Sequence, residues 1–390
     1  MPIPTKHIIE KLTSFIENEQ FRGYDPYDTL NSFFPLHLLG RYGQSLAIQI
    51  QKRNPLNIRG IIGIKKGHNP KGLGLLLEAY SRLLIKTNKP EYKNSAELLF
   101  SMLMANSTPG YRGRCWGYNF VWANPEKVLP AYYPSIVVTA FVGKGVFEYY
   151  RATRNEEAIP LLREICDYII LDLPRTETPQ GICFSYTNIS RDCCYNASLL
   201  GAEILAKTFA LTGEKHLRDL SLQAADFVAA HQHRDGRWNY SLRLDGRGER
   251  KQVDFHQGFI LASLTEIIEE TGISPERYSE CLKKGALFYR DNQFFDDGRS
   301  KWRYPKRFPI DIHHQAQGII TFAALSKIDP SYLTFAQKIL KWTVGHLWDE
   351  GGFFYYQKNR LYTNKISYLR WGQAWMLVAL SLLYAADGKK

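Results

Sequence analysis

No apolar run in this chain approaches the roughly eighteen residues that a membrane-crossing helix requires, so no such helix is expected. The N-terminus enters an amphipathic segment at once, without the basic start and apolar stretch of a secretory leader, and a cytoplasmic location is expected. Cysteine is scarce. The six stand at 115, 166, 183, 193, 194 and 281 without a C-x-x-C pair, which excludes a disulfide scaffold or a zinc finger. Adjacent Cys193 and Cys194 could react or bind metal, but packing in the core or the pocket wall is the preferred reading. Basic runs are also missing: 50 Lys and Arg against 38 Asp and Glu give +12, yet the cations are scattered. That pattern argues against nucleic acid and for a smaller anionic partner, an acidic glycan or a phosphorylated ligand. No Pro-, Gly- or Ser-rich linker divides the chain. One domain over 1–390 is expected, with 1–60 as irregular helices and a loop packed on the rest.

What is present is a repeat. Long apolar helical stretches with small residues follow an aromatic or histidine-bearing entry. The entries are Tyr132-Tyr133-Pro134, Cys194-Tyr195-Asn196, Phe255-His256-Gln257-Gly258, His313-His314-Gln315 and Leu369-Arg370-Trp371-Gly372, with a weaker copy from Pro70. They recur every ~57–62 residues. Between them lie helices apolar on one side only, near 90–105, 156–171, 214–231, 274–292 and 330–346. One helix type buried all round and another buried on one face is what an inner and an outer ring require. Gly213, Gly272 and Gly388 follow helices as left-handed caps, and Pro275 and Pro330 mark outer-helix starts. Helix 5–18 is expected on the outside, and 33–52 is expected to form the sixth hairpin with 71–87.

A second repeat, [Phe/Trp]-x-Tyr, leads into five of the inner helices: Trp116/Tyr118, Phe184/Tyr186, Trp238/Tyr240, Trp302/Tyr304 and Phe354/Tyr356. Alternating aromatics there predict short β-hairpins at one rim. The fold class is therefore all-α, an (α/α)6 toroid with small hairpins at one end.

With both repeats in place, about residues 60–388 resemble the six-hairpin toroid enzymes that act on carbohydrates. These include glucuronyl C5-epimerases, N-acylglucosamine 2-epimerase-like proteins, unsaturated glucuronyl hydrolases and polysaccharide lyases. The residues carrying the resemblance are the five aromatic copies, Phe255-His256-Gln257-Gly258 and Asp311-Ile312-His313-His314. The resemblance implies a substrate cleft at the rim bearing the inner-helix entries. Terpene and prenyl enzymes share the ring, but no D-x-D-D or D-D-x-x-D run is present; the nearest segment is Asp296-Asp297-Gly298. The Cys-His-Gly zinc motif of lanthionine cyclases is missing too.

Candidate chemistry gathers at the entries. Asp254 and Asp311 precede inner helices and could act as the two carboxylates of a glycosidase, about 5–5.5 Å apart for retention or 6.5–9.5 Å for inversion; each also suits an N-cap. Asp192 reads more as a cap. His256, His313 and His314 suit proton abstraction from a uronate C5, with Tyr240 or Tyr304 returning the proton. The expected catalytic set is Asp254, His256, Asp311, His314 and Tyr240. Trp116, Tyr186, Trp238, Trp302, Tyr304 and Trp371 offer flat faces to sugars, though about half of the rim aromatics are expected in packing. Arg114, Arg307 and Arg370 offer forks to a carboxylate, and Tyr24 and Asp25 belong to a loop able to lid the cavity. No cofactor and no metal are expected, since His256 and His313 lack further ligands. The reading is an enzyme acting on a uronate-containing glycan by C5 epimerisation or β-elimination. A glycoside hydrolase using paired Asp, a non-catalytic glycan-binding protein of polysaccharide synthesis, and a cyclase with an apolar cavity are the alternatives.

Overall fold

The computed structural model describes residues 5–125, 127–189 and 191–386. Among these are thirteen α-helices: α1 (Thr5–Asn18), α2 (Gly40–Arg53), α3 (Pro70–Thr87), α4 (Pro90–Ala105), α5 (Ile136–Thr153), α6 (Ala158–Asp167), α7 (Tyr195–Thr212), α8 (Lys215–Ala230), α9 (His256–Thr271), α10 (Glu276–Gln293), α11 (Ile312–Leu325), α12 (Ser331–Leu347) and α13 (Ala374–Ala386). From α3 onward the odd-numbered helices pack each on the next, and α13 packs back on α3, closing an inner ring of six. Helices α4, α6, α8, α10 and α12 line its outside.

Burial follows the two helix types. Helix α7 buries every residue from Tyr195 to Thr208, whereas α8 buries one face through Leu217, Leu222, Ala225, Phe227 and Val228. The closest approach in the ring is α3 on α5. A Cβ on Gly74 would stand 2.7 Å from the Phe141 carbonyl oxygen, and one on Gly145 would stand 2.5 Å from that of Gly74. Gly213 and Gly272 end their helices in the left-handed region at φ 73° and 62°, and Pro275 and Pro330 stand directly before α10 and α12. Gly388 lies outside the described residues.

The sixth hairpin differs from expectation. Helix α1 packs on the outside of α13 and so supplies the outer helix of the sixth hairpin, while α2 lies at the rim instead of beside α3. The reason is visible in side-chain supply. Ile8, Ile9, Leu12 and Ile16 give α1 a continuous apolar face, whereas α2 buries Gln44, Ile48 and Gln51.

The rim hairpins stitch neighbouring entries together. Strand Cys193–Cys194, before α7, pairs with Ser241–Leu242, before α9; Ile310–Asp311, before α11, pairs with Gln357–Lys358, before α13. The opposite end is plugged by charge. Lys207 reaches Glu266 at 2.6 Å, Lys144 reaches Glu203 at 3.0 Å and Arg82 reaches Glu148 at 2.8 Å, all from inner helices.

Candidate functional site

Five of the six connections into the inner helices enter the rim by the same hydrogen bond. The backbone N–H of Trp116, Phe184, Trp238, Ser300 and Phe354 donates to the side-chain oxygen of Thr139, Ser198, Gln257, Gln315 and Gln373 respectively. This sets the true register of the aromatic repeat. Its first positions are buried between the rings, and the indoles of Trp116 and Trp238 donate to the Leu103 and Val228 carbonyls at the ends of outer helices. Those two tryptophans are packing residues, which corrects their reading as sugar platforms. In the fourth copy Ser300 takes the first position, so Trp302 stands where Tyr118, Tyr186, Tyr240 and Tyr356 stand in the others. Tyr304 falls outside the register; it is 43% exposed and its ring packs on Phe288 of α10. The glycine two residues ahead of the first position (Gly236, Gly298, Gly352, all at φ near 91–92°) marks the correct register and was visible in the sequence.

The entry of α9 carries the centre of the site. Asp254 is buried and accepts from the Gln252 amide at 2.8 Å and from His256, whose ring Nδ1 lies 2.5 Å away; Arg303 approaches to 3.5 Å. Burial alone would raise the Asp254 carboxyl; the His256 charge and hydrogen bond, with His314 and Arg303, instead hold it below the usual range. A carboxylate at Nδ1 makes that nitrogen the donor and leaves Nε2 as the basic atom. The His256 side chain is 21% exposed and stands edge-on to Tyr240, 4.9 Å between rings. Burial, then the neighbouring Cys194, pushes the Tyr240 phenol well up, so it keeps its proton.

The entry of α11 adds two buried imidazoles. Burial lowers the pKa of His313, reinforced by the charges of Lys71, His314 and Arg370; burial likewise lowers that of His314. His314 is stacked on Trp302 at 5.1 Å and its Nδ1 faces the Lys301 carbonyl. Its Nε2 and the Nδ1 of His313 are buried without a hydrogen-bond partner among the described residues. His313 sits among Phe255, Trp371 and Trp375, with ring centroids 4.4–4.6 Å away. Asp311 is capped on all sides. It accepts from the His313 backbone at 2.8 Å, the Gln357 amide at 2.6 Å and the Trp371 indole at 3.0 Å.

The N-terminal loop is pinned down beside this cluster. Arg370 grips Asp25 with two bonds of 2.6 and 2.7 Å, and Arg59 holds Asp28 at 2.8 Å, both pairs buried. Asp25 is therefore a structural anion, and Arg370 is held in place beside the Tyr118 and Trp371 rings. Tyr24 lines a cleft next to it with Asn31, Lys65 and Asn69. A second, aromatic cleft lies between Tyr118, Trp122, Tyr133 and Tyr186. Arg114 points outward to Glu164 of α6 at 2.8 Å, and Arg307 is exposed near Phe295, so neither joins the centre.

One residue escaped the sequence reading. Lys71, in the first turn of α3, is 5% exposed, with its ammonium 4.2 Å from the Phe141 ring and 5.3 Å from that of Trp375. Among the described residues no carboxylate pairs with it, since both oxygens of nearby Asp25 are taken by Arg370. Burial, then Arg370, lowers its pKa well below the usual value. Only the position of Lys71, at the entry of the weakest repeat, could have signalled it.

The ring has relatives among solved structures. Neither protein-family models nor curated protein sequences give a match. A cellobiose 2-epimerase from Bacillus thermoamylovorans superposes with a TM-score of 0.67 at 15% identity, over 82% of this chain and 88% of that one. This is an (α/α)6 toroid. An unsaturated glucuronyl hydrolase specific for heparin is similar over 98% of this chain and 96% of that one, at 13% identity and a TM-score of 0.66. A possible member of the GH105 family from Salmonella enterica covers 98% and 94%, at 11% identity and a TM-score of 0.68. At such identities the shared property is the toroid.

Proposed function

We propose that this protein is an enzyme acting on a uronate-containing glycan at the rim, by proton abstraction at C5. The observation carrying the proposal is the Asp254–His256 pair, whose partly exposed imidazole stands beside Tyr240. Asp254 orients the ring and stabilises the imidazolium that forms when Nε2 takes the C5 proton. The electron pair left at C5 delocalises into the uronate carboxylate, which requires a cation there; Lys71, regaining its proton as the anionic substrate binds beside it, supplies it, with Arg303 nearer the mouth. From that intermediate, expulsion of the C4 oxygen as a double bond forms is β-elimination, and reprotonation on the opposite face is epimerisation. Tyr240, protonated at neutral pH, is the acid for either outcome.

A hydrolase reading draws on the names of two similar structures, an unsaturated glucuronyl hydrolase and a possible GH105 member. The site supports it less. Glycoside hydrolysis by paired carboxyls needs one of them protonated, whereas Asp254 is held ionised and Asp311 is occupied by three donors.

The test is incubation of the purified chain with acidic oligosaccharides in deuterated water, read by mass spectrometry. Unchanged mass apart from one deuterium at C5 means epimerisation. Cleavage without added water, with new ultraviolet absorbance, means elimination. Cleavage with added water favours the hydrolase, and tight binding without turnover favours a glycan-binding protein. Failure to bind any acidic glycan sinks the proposal.

A further inference from the structure

Helix α2 is inside out. Its buried positions are Gln44 and Gln51 around Ile48, while Tyr42, Leu46 and Ile50, one turn apart, are 64%, 61% and 64% exposed. A surface helix ordinarily turns such a stripe to the core. The exposed face is extended rather than isolated. Leu38 and Leu39 lead into it, and Phe33 reaches the turn at Ile61 through a backbone bond to the Ile62 carbonyl, with Phe33, Phe34 and Ile61 also exposed. Contiguous apolar surface of this kind marks an interaction site.

Charge identifies the partner. Between Asp28 and Glu78 the sequence contains no Asp or Glu at all, yet it contains seven Lys and Arg. Of these, Arg41, Arg53 and Lys65 are exposed and form no ion pair among the described residues. An apolar stripe flanked along the sequence by cations, with Lys66 alone pairing to an acid (Glu19) from another segment, has the composition of a helix lying in the headgroup region of an anionic bilayer. A second copy fits worse, because a two-fold axis through this patch would set two acid-free basic faces against each other. We infer that α2 and the 33–39 and 56–65 segments dock this protein on an anionic lipid surface. No helix among the described residues is long and apolar enough to cross a membrane, so the contact is peripheral. Lys52, on the inner side of α2, bonds to the Tyr27 hydroxyl beside Trp371. Docking therefore brings the mouth of the ring next to the lipid. The surface is independent of the reaction assigned above.

The test is co-sedimentation of the full chain with phosphatidylcholine vesicles, alone or with about a quarter phosphatidylglycerol. The expected result is binding to the anionic vesicles that weakens as salt rises. Leu46→Gln with Ile50→Gln should lower the partition coefficient about tenfold or more at an unchanged melting temperature, since both side chains are already exposed. Arg41→Glu with Arg53→Glu should also weaken binding to the anionic vesicles. No binding at low salt, or equal binding to neutral vesicles, overturns the inference. So does a lipid-free dimer in light scattering that the Leu46/Ile50 pair dissolves, which would make this face an interface between copies.

Discussion

Lys71 faces a conflict that its neighbours do not resolve. It stands in the first turn of a helix, where the backbone dipole disfavours a cation, and it is buried against three aromatic rings. The groups facing it are Arg370 from the rim, Asp25 from the N-terminal loop and His313 from α11, with His256 beyond. Because its pKa falls on folding, the unfolded chain binds a proton that the folded chain releases, and the cost persists at every pH below ~10.4. Lys71→Met should therefore raise stability at neutral pH by about 1–3 kcal/mol, seen as a higher melting temperature. The same variant should lose affinity for uronates while neutral sugars bind as before. His256→Asn has a different expected signature: turnover falls about 10²–10⁴-fold with binding retained, and the loss is measured by deuterium exchange at C5. The entry acids, histidines and Tyr240 were legible because each sits at a fixed offset before an apolar helix. Lys71 was not, since its entry is the least regular copy.

At the scale of elements, helix bounds followed the apolar periodicity closely: 90–105, 214–231 and 274–292 were expected where Pro90–Ala105, Lys215–Ala230 and Glu276–Gln293 form. The aromatic register did not follow, because Trp302 and Tyr304 reproduce the motif two residues late; the backbone bond from Ser300 to Gln315 reveals the shift, and in the sequence only Gly298 marks it. The charged plug was equally hidden. Its members are spread over inner helices at positions that look like solvated polar breaks in an apolar run. Lys207 carries three carboxylates there, Glu266, Glu270 and Glu203, and its side chain is 2% exposed. Lys207→Met should cost about 3–5 kcal/mol by leaving those acids uncompensated, read from denaturant unfolding. Burial works to raise the Glu266 carboxyl, but Lys207, Lys327, Lys144 and Arg82 outweigh it and hold it well below the usual value. Its contribution is thus fully present above pH ~4.3 and is lost as pH falls through the lower folded value. Stability should be insensitive to this group between pH 5 and 7 on the scale of ~1 kcal/mol, then fall below ~4.

The whole molecule is a ring closed by α13 on α3 and covered at that seam by α1, an arrangement with a consequence for cooperativity. An open array of helical hairpins can fray from either end, because each unit contacts only its neighbours. Here α13 packs on α3 inside and α1 packs on α13 outside, so the first and last helices hold each other. The apolar face of α1, Ile8, Ile9, Leu12 and Ile16, is buried to 3% exposure or less. Composition alone could not foresee this, because the periodicity of 5–18 says that one face is apolar but not which helix receives it. If closure couples the ends, Leu12→Ala should destabilise the entire ring by about 2–5 kcal/mol. Far-ultraviolet circular dichroism, which reports helices, and tryptophan fluorescence, which reports indoles spread around the ring from Trp116 to Trp375, should then shift to the same lower midpoint. A fluorescence midpoint that stays fixed while part of the helical signal melts early would mean that α1 is a detachable strap and that the ring is closed by α13 on α3 alone.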